Sequence, residues 1–150
     1  MTVSLSGTDV ANTISAQFPD VVVESTTQVV IVKPDWLYRV AEFLKNSVEF
    51  FFDYINDMTA TDYYDYFEVV LQLSSLSLNH KLTLKTRLFN REKPSLQSVS
   101  SLWHGAELME REIFDLMGIT FKGHPNMKRI FLWEGFEGHP LRKDWYGNKD

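Results

Sequence analysis

The sequence predicts an α+β fold: a small antiparallel sheet with helices packed on one face, followed by an extended, irregular C-terminal arm. Three observations predict it. Residues 80–89, HKLTLKTRLF, alternate cleanly, with Leu82, Leu84, Thr86 and Leu88 on one side and Lys81, Thr83, Lys85 and Arg87 on the other. That is the period of a strand with one wet face. Two segments, KPDWLYRVAEFLKNS and AELMEREIFDLMG, instead repeat their apolar residues at helical spacing. After Gly118 all periodicity stops, and four glycines, two prolines and scattered large aromatics follow.

Taken in order, residues 8–18 read as a short helix. Two β-branched runs, Val21–Val23 and Val29–Val32, are split by polar turn residues and predict a hairpin. In the next helix Asp35 is placed to cap, and Trp36, Leu37, Val40, Phe43 and Leu44 form one stripe. Residues 50–76, aromatic and acidic, predict two strands around a turn near Thr59–Asp62. Pro94 and Ser95 open a helical region in which Leu96, Val99, Leu102 and Trp103 keep helical spacing, with Ser95 as N-cap and Gly105 as the interruption. The last helix carries Met109, Ile113, Leu116 and Met117 on one stripe. Gly118 stands where a helix end wants a residue free to take positive φ. The chain thus divides into an α+β body, 1–117, and an arm, 118–150. An arm without a period is disordered, wrapped on its own domain or ordered by a partner, and its Trp and Phe content argues against disorder; the expectation is that it takes its shape from a neighbouring polypeptide, so that deleting 122–150 leaves a folded body.

The chain has 150 residues, enough for one domain with a real core. Its 14% aromatic content exceeds what a small core needs, so either the core is Phe-rich or some rings lie at a partner surface. It contains no cysteine, which excludes disulfides, a thiol nucleophile and Cys-ligated zinc or iron–sulfur clusters within these residues, and fits the cytosol. No stretch approaches the ~20 apolar residues needed to cross a bilayer, and the N-terminus lacks the pattern of a signal peptide. Residues 1–121 hold 9 Lys/Arg against 16 Asp/Glu, while residues 122–150 hold 6 against 4. An acidic body does not suit nucleic acid; a mildly basic tail on it suits docking on an acidic or mixed protein surface.

The candidate chemistry lies in the last third. Glu110-Arg111-Glu112 stands in the final helix, with Asp115 an i,i+4 partner of Arg111 and an i,i+3 neighbour of Glu112. These residues read as an ion-pair network or as an acid/base carboxylate pair. His104, His124 and His139, with Glu110 or Glu112, form a second candidate set, for metal. No two of these histidines have ligand spacing, and H-E-x-x-H is absent. No nucleophile elbow, G-x-G-x-x-G or P-loop is present. The most distinctive feature is a doubled F-x-G-H-P-x-x-K. Gly123-His124-Pro125 is followed by Lys128 and Arg129, and Gly138-His139-Pro140 by Arg142 and Lys143. Glycine before and proline after each histidine make a fixed corner with cations just beyond it. This reads as a strap pinned at two points, or as two unrelated turns.

The ungapped run EREIFDLMGITFKGHPNMKRIF, from Glu110 to Phe131, resembles the signature of the 30 kDa subunit family of respiratory complex I. This is the C-type subunit of proton-pumping NADH:quinone oxidoreductase. The signature residues are Glu110, Arg111, Glu112, Asp115, Gly118, Gly123, His124, Pro125, Lys128 and Arg129. The resemblance continues into GHPLRKDW and back through RLFNREKPSLQSVSSLW, and so covers residues 87–146. The departures are Leu108 where the family commonly has Trp, Trp133-Glu134-Gly135-Phe136 between the two basic runs, and Trp145-Tyr146 in place of one Tyr.

The resemblance implies a structural and assembly subunit without a redox centre. Iron–sulfur clusters, flavin and quinone would reside in other subunits of the complex. It implies a place in the peripheral arm, on the cytoplasmic side of the membrane, against the large D-type subunit that forms the quinone site, with iron–sulfur subunits nearby. On that reading the E-R-E helix and both G-H-P corners are contact and scaffold residues, with no catalytic role, and Arg111, His124, Lys128, Arg129, Arg142 and Lys143 are the docking contacts. The rival reading is a stand-alone metal-dependent or acid/base enzyme using His104, His124, His139 and Glu110. The electron donor and quinone are left open.

Overall fold

The fold was analysed in a computed structural model describing residues 2–133 and 136–145. Glu134, Gly135 and residues 146–150 of the expected arm lie outside the described residues. The elements are β1 (Val3–Ser4), α1 (Gly7–Gln17), β2 (Val22–Ser25), β3 (Val29–Val32), α2 (Leu37–Asn46), β4 (Tyr54–Asp62), β5 (Phe67–Ser75), β6 (His80–Leu88), β7 (Ser95–Gln97), α3 (Ala106–Met117) and β8 (Thr120–Lys122). The class is α+β, as the periodicities predict.

The main sheet runs β2-β3-β6-β5-β4, with β1 also on β6. It is mixed, which corrects the antiparallel expectation. β2–β3, β4–β5 and β5–β6 are antiparallel, but β3 and β1 both run parallel to β6. Alternation specifies which face of a strand is wet and leaves its neighbours' direction open. One face of the sheet is dry: Phe67, Val69, Leu71 and Leu73 of β5 and Leu82, Leu84 and Leu88 of β6 join Val10, Ile14, Val40, Leu44 and Ile113 of the helices in one core. The other face is polar. There Glu68 takes Lys85 at 2.8 Å and Arg87 at 3.2 Å, and Gln72 accepts from Thr83.

Three local expectations are corrected. The β4–β5 turn falls at residues 63–66, later than Thr59–Asp62. Thr59 and Thr61 favour strand, and Asp62 Oδ1 accepts the Tyr64 N–H, with Tyr64 at φ +70°. Asp35 makes no cap; it lies in a single 3₁₀ turn, Pro34–Trp36, before α2. Ser95 starts a strand. β7 pairs in parallel with β8, matching Ser95 to Thr120 and Gln97 to Lys122, and the Thr120 N–H reaches the Pro94 carbonyl. Leu96, Val99 and Trp103 are buried as a helical reading requires, but they arrive by a strand and a turn.

This pairing also draws the first residues past Gly118 into the body. Ile119 and Phe121 are buried members of the core. Beyond them the described tail runs back along α3 and reaches the turn end of the β4–β5 hairpin, where the Lys143 N–H bonds Asp62.

Candidate functional site

α3 ends where the helix rules place its end. Gly118 takes φ +78° and its N–H bonds the Phe114 carbonyl. Of the polar residues of α3, Arg111 and Asp115 hold the returning tail, and Glu110 holds the segment before the helix, at Ser98 and Val99.

Asp115 is the centre. Its Oδ2 accepts three consecutive backbone N–H groups, from Ile130 (3.1 Å), Phe131 (2.8 Å) and Leu132 (3.1 Å). Its Oδ1 lies 3.3 Å from Arg129 Nη1, and both atoms are buried. Among the described residues neither atom has a hydrogen bond, so this contact is an ion pair only. Burial pushes the Asp115 carboxyl up, but the three N–H groups and Arg129 outweigh it and hold the carboxyl below the usual range. Arg129 also donates to the Gly138 carbonyl (2.7 Å) and stacks over Phe136. Arg111 grips the same turn, donating through Nε to the Lys128 carbonyl (3.0 Å) and through Nη2 to the Arg129 carbonyl (3.1 Å).

Both histidines of the G-H-P corners turn inward. Gly123 and Gly138 take φ +83° and +89°, as the corner reading requires. His124 Nδ1 accepts the Asn126 N–H at 2.9 Å, so the proton sits on Nε2, which donates to the Glu107 carbonyl at 2.8 Å. Glu110 Oε1 is 4.0 Å from that Nε2; with the ring in this neutral tautomer the approach is no ion pair. Glu110 is wholly buried. Its Oε1 accepts the Ser98 hydroxyl (2.5 Å) and its Oε2 the Val99 N–H (2.9 Å). Burial pushes its carboxyl above the usual range, against the pull of these bonds. His139 Nδ1 meets the Asp115 carbonyl at 2.9 Å, an acceptor only, so Nδ1 carries that ring's proton.

The last basic run closes a second clasp on the β4–β5 hairpin. Arg91 forks Asp62 at 2.8 and 2.9 Å and reaches Asp144 at 3.2 Å. Arg142 donates to the Arg91 carbonyl (2.7 Å) and to Asp144, and both guanidiniums lie over the Phe67 ring. The Lys143 N–H binds Asp62 Oδ2 at 2.8 Å, and its ammonium lies over Tyr64. The Arg91 fork holds Asp62 far below the usual carboxylate range.

Residues 30–150, from β3 to the end of the chain, match the family described as respiratory-chain NADH dehydrogenase, 30 Kd subunit. The chain belongs to this family. The C-type subunit of NADH-quinone oxidoreductase from Roseiflexus castenholzii is 41% identical over 116 residues, covering 75% of this chain and 66% of that one. A C/D fusion of the same oxidoreductase from Phocaeicola vulgatus is 44% identical over 94 residues, covering 62% of this chain and 18% of the fusion. The chain therefore spans slightly under two thirds of the first relative and a small part of the second. A chain in the structure of the membrane-bound sulfane sulfur reductase, an archaeal respiratory membrane complex, superposes with a TM-score of 0.74 at 22% identity, over 93% of this chain and 85% of that one. That likeness shows the shared fold.

In this 30 kDa-family chain the sequence-predicted residues fall into two groups. Glu110, Arg111, Asp115, His124, Arg129 and His139 gather around α3, and Arg142 joins the clasp on the β4–β5 hairpin. Glu112, Pro125 and the side chains of Lys128 and Lys143 face outward. His104 is exposed over 98% of its side chain and lies apart. Among the described residues no group of three His, Cys, Asp or Glu is placed to hold a metal. Sequence reasoning missed Asp62, Arg91 and Ser98. Asp62 and Arg91 belong to segments far apart in sequence, and the only local signal was an acid at a strand end.

Proposed function

We propose that this chain is a scaffold subunit, without a redox centre of its own, in the peripheral arm of a proton-pumping quinone oxidoreductase of the complex I type. It docks on the large D-type subunit that forms the quinone site, on the cytoplasmic side of the membrane, beside the iron–sulfur subunits. Iron–sulfur clusters, flavin and quinone belong to those neighbours. Membership of the 30 kDa family supports this reading, as does the C/D fusion, a relative in which the matching region shares one polypeptide with a D-type partner. The chain contains no cysteine, and among the described residues no helix is long and apolar enough to cross a membrane.

The observation that carries the docking is what the two clasps leave facing water. Arg111, Arg129 and Arg142 are engaged within the chain. Phe131 and Trp133 are exposed over 63% and 68% of their surface, and Leu108 and Leu141 are also exposed. Large apolar side chains held outward on a fixed backbone suit a partner's pockets. The test is affinity purification of the chain from native membranes, with mass spectrometry of what accompanies it. Wild type should bring down the large quinone-site subunit, and Phe131→Glu with Trp133→Glu should lose it while the isolated chain melts normally. Undiminished recovery by that variant would count against docking through this surface.

A further inference from the structure

Among the described residues the edge strand β4 pairs with β5 alone. The Tyr63 N–H bonds the Tyr66 carbonyl across the turn, so the hydrogen-bonded pairs alternate back from there as Thr61 with Glu68, Thr59 with Val70 and Asp57 with Gln72. Met58 and Ala60 must then aim their N–H and C=O groups at the free edge. The Met58 N–H agrees with this by turning to its neighbour's Asp57 Oδ1 at 3.0 Å. Beside this edge lies a groove of about 330 Å³. Met58, Ala60, Ile113, Leu116 and Leu141 line it, and Asp57 and Glu112 are the charged groups on it. At the far end Asp62 is closed off by Arg91 and the Lys143 N–H.

Resting on the scaffold reading above, we infer that the β4 edge is a strand-addition site. It receives a short extended segment of a partner subunit, apolar toward α3 and carrying Lys or Arg where it passes Asp57 and Glu112. An added strand would take the open groups of Ala60 and the Met58 carbonyl, drawing the Met58 N–H away from Asp57 Oδ1, and every second side chain would enter the groove against Ile113, Leu116 and Leu141. The acids select a basic segment. They also argue against β4 of a second copy as the added strand, because that strand carries Asp57 and Asp62 and no Lys or Arg.

The test uses the full chain in the complex recovered from native membranes. Ala60→Pro removes an outward N–H, which an edge strand tolerates, whereas Thr59→Pro removes a ladder bond to β5. Ala60→Pro should leave the isolated chain's melting unchanged and reduce its recovery in the complex, while Thr59→Pro should lower the melting itself. Independently of either variant, Ala60 amide exchange in wild type should slow about tenfold or more in the complex relative to the free chain. Zero-length carbodiimide coupling should join Asp57 or Glu112 to a lysine of another subunit. Unchanged recovery with Ala60→Pro, unchanged Ala60 exchange, or coupling to a second copy of this chain would overturn the inference. If wild type brings down no partner at all, the scaffold reading fails first.

Discussion

The imidazole of His139 occupies the space that a side chain on Gly118 would take. A β-carbon there would lie 2.7 Å from His139 Cδ2, and the glycine sits at φ +78°. The end of α3 and the second G-H-P corner are therefore fitted to each other. Gly118→Ala has to meet both a left-handed backbone, costing about 1–2 kcal/mol for a residue with a β-carbon, and displacement of the ring. Chemical denaturation should show a loss of at least that size, and the His139 NMR resonances should shift.

Asp115 and Arg129 close the first clasp in a buried setting. Asp115→Asn keeps the shape but weakens the acceptor of three N–H groups and leaves Arg129 unpaired. Breaking a buried pair from one side costs ~3 kcal/mol or more. The urea midpoint should fall accordingly, and the amides of Ile130, Phe131 and Leu132 should exchange faster than those of β5. Arg129→Glu should destabilise the isolated chain as well as any assembly, because its guanidinium faces inward.

Two sets of carboxyls give opposite pH dependence. Asp115 and Asp62 have lowered values in the folded chain. Their stabilisation is fully present above the unfolded value of about 3.9 and is lost as pH falls through the folded values. Glu110 is raised. Its contribution is fully present below the unfolded value of about 4.3 and is lost as pH rises through the folded value. Glu110→Gln can accept the Val99 N–H and donate to the Ser98 hydroxyl. Denaturation from pH 4 upward should therefore show wild type losing stability relative to this variant as pH rises. A constant difference would refute the assignment.

The second clasp depends on the planar fork of Arg91 on Asp62. Arg91→Lys keeps the charge but cannot reproduce two parallel bonds. It should lower stability by roughly 1–3 kcal/mol and loosen Arg142 and Lys143, read as faster exchange at the Lys143 amide. Asp62→Asn in the same background should add little, since both changes remove one shared contact.

Truncation after residue 121 is expected to destabilise the body, in contrast to what the tail's composition suggests. It removes the three N–H groups and Arg129 that balance Asp115. Circular dichroism melts of the truncated and full chains should differ by several degrees.

The wet and dry faces of β6, the α2 stripe, the Gly118 helix end and the glycine corners at 123 and 138 were legible in the sequence. Each depends on a residue's own conformational range or on neighbours a few positions away. The family signature was legible for a related reason: its residues are close together in the chain and match without a gap. Ser95–Gln97 was misread as helix because Leu96, Val99 and Trp103 satisfy a helical spacing while reaching the core another way. The parallel direction of β3 and β1 against β6 left no trace in alternation.

What the sequence determined by itself was local: which segments favour strand or helix, where the chain bends, and that cations follow each histidine. Only the tertiary structure decided what those cations meet. Arg129 finds Asp115, Arg142 finds Arg91 and Asp144, and both histidines turn onto α3 carbonyls. The physical reason is that a carboxylate's partner is selected by the desolvation it must offset and by which donors the fold brings within about 3 Å. Neither quantity is written in the spacing of residues along the chain.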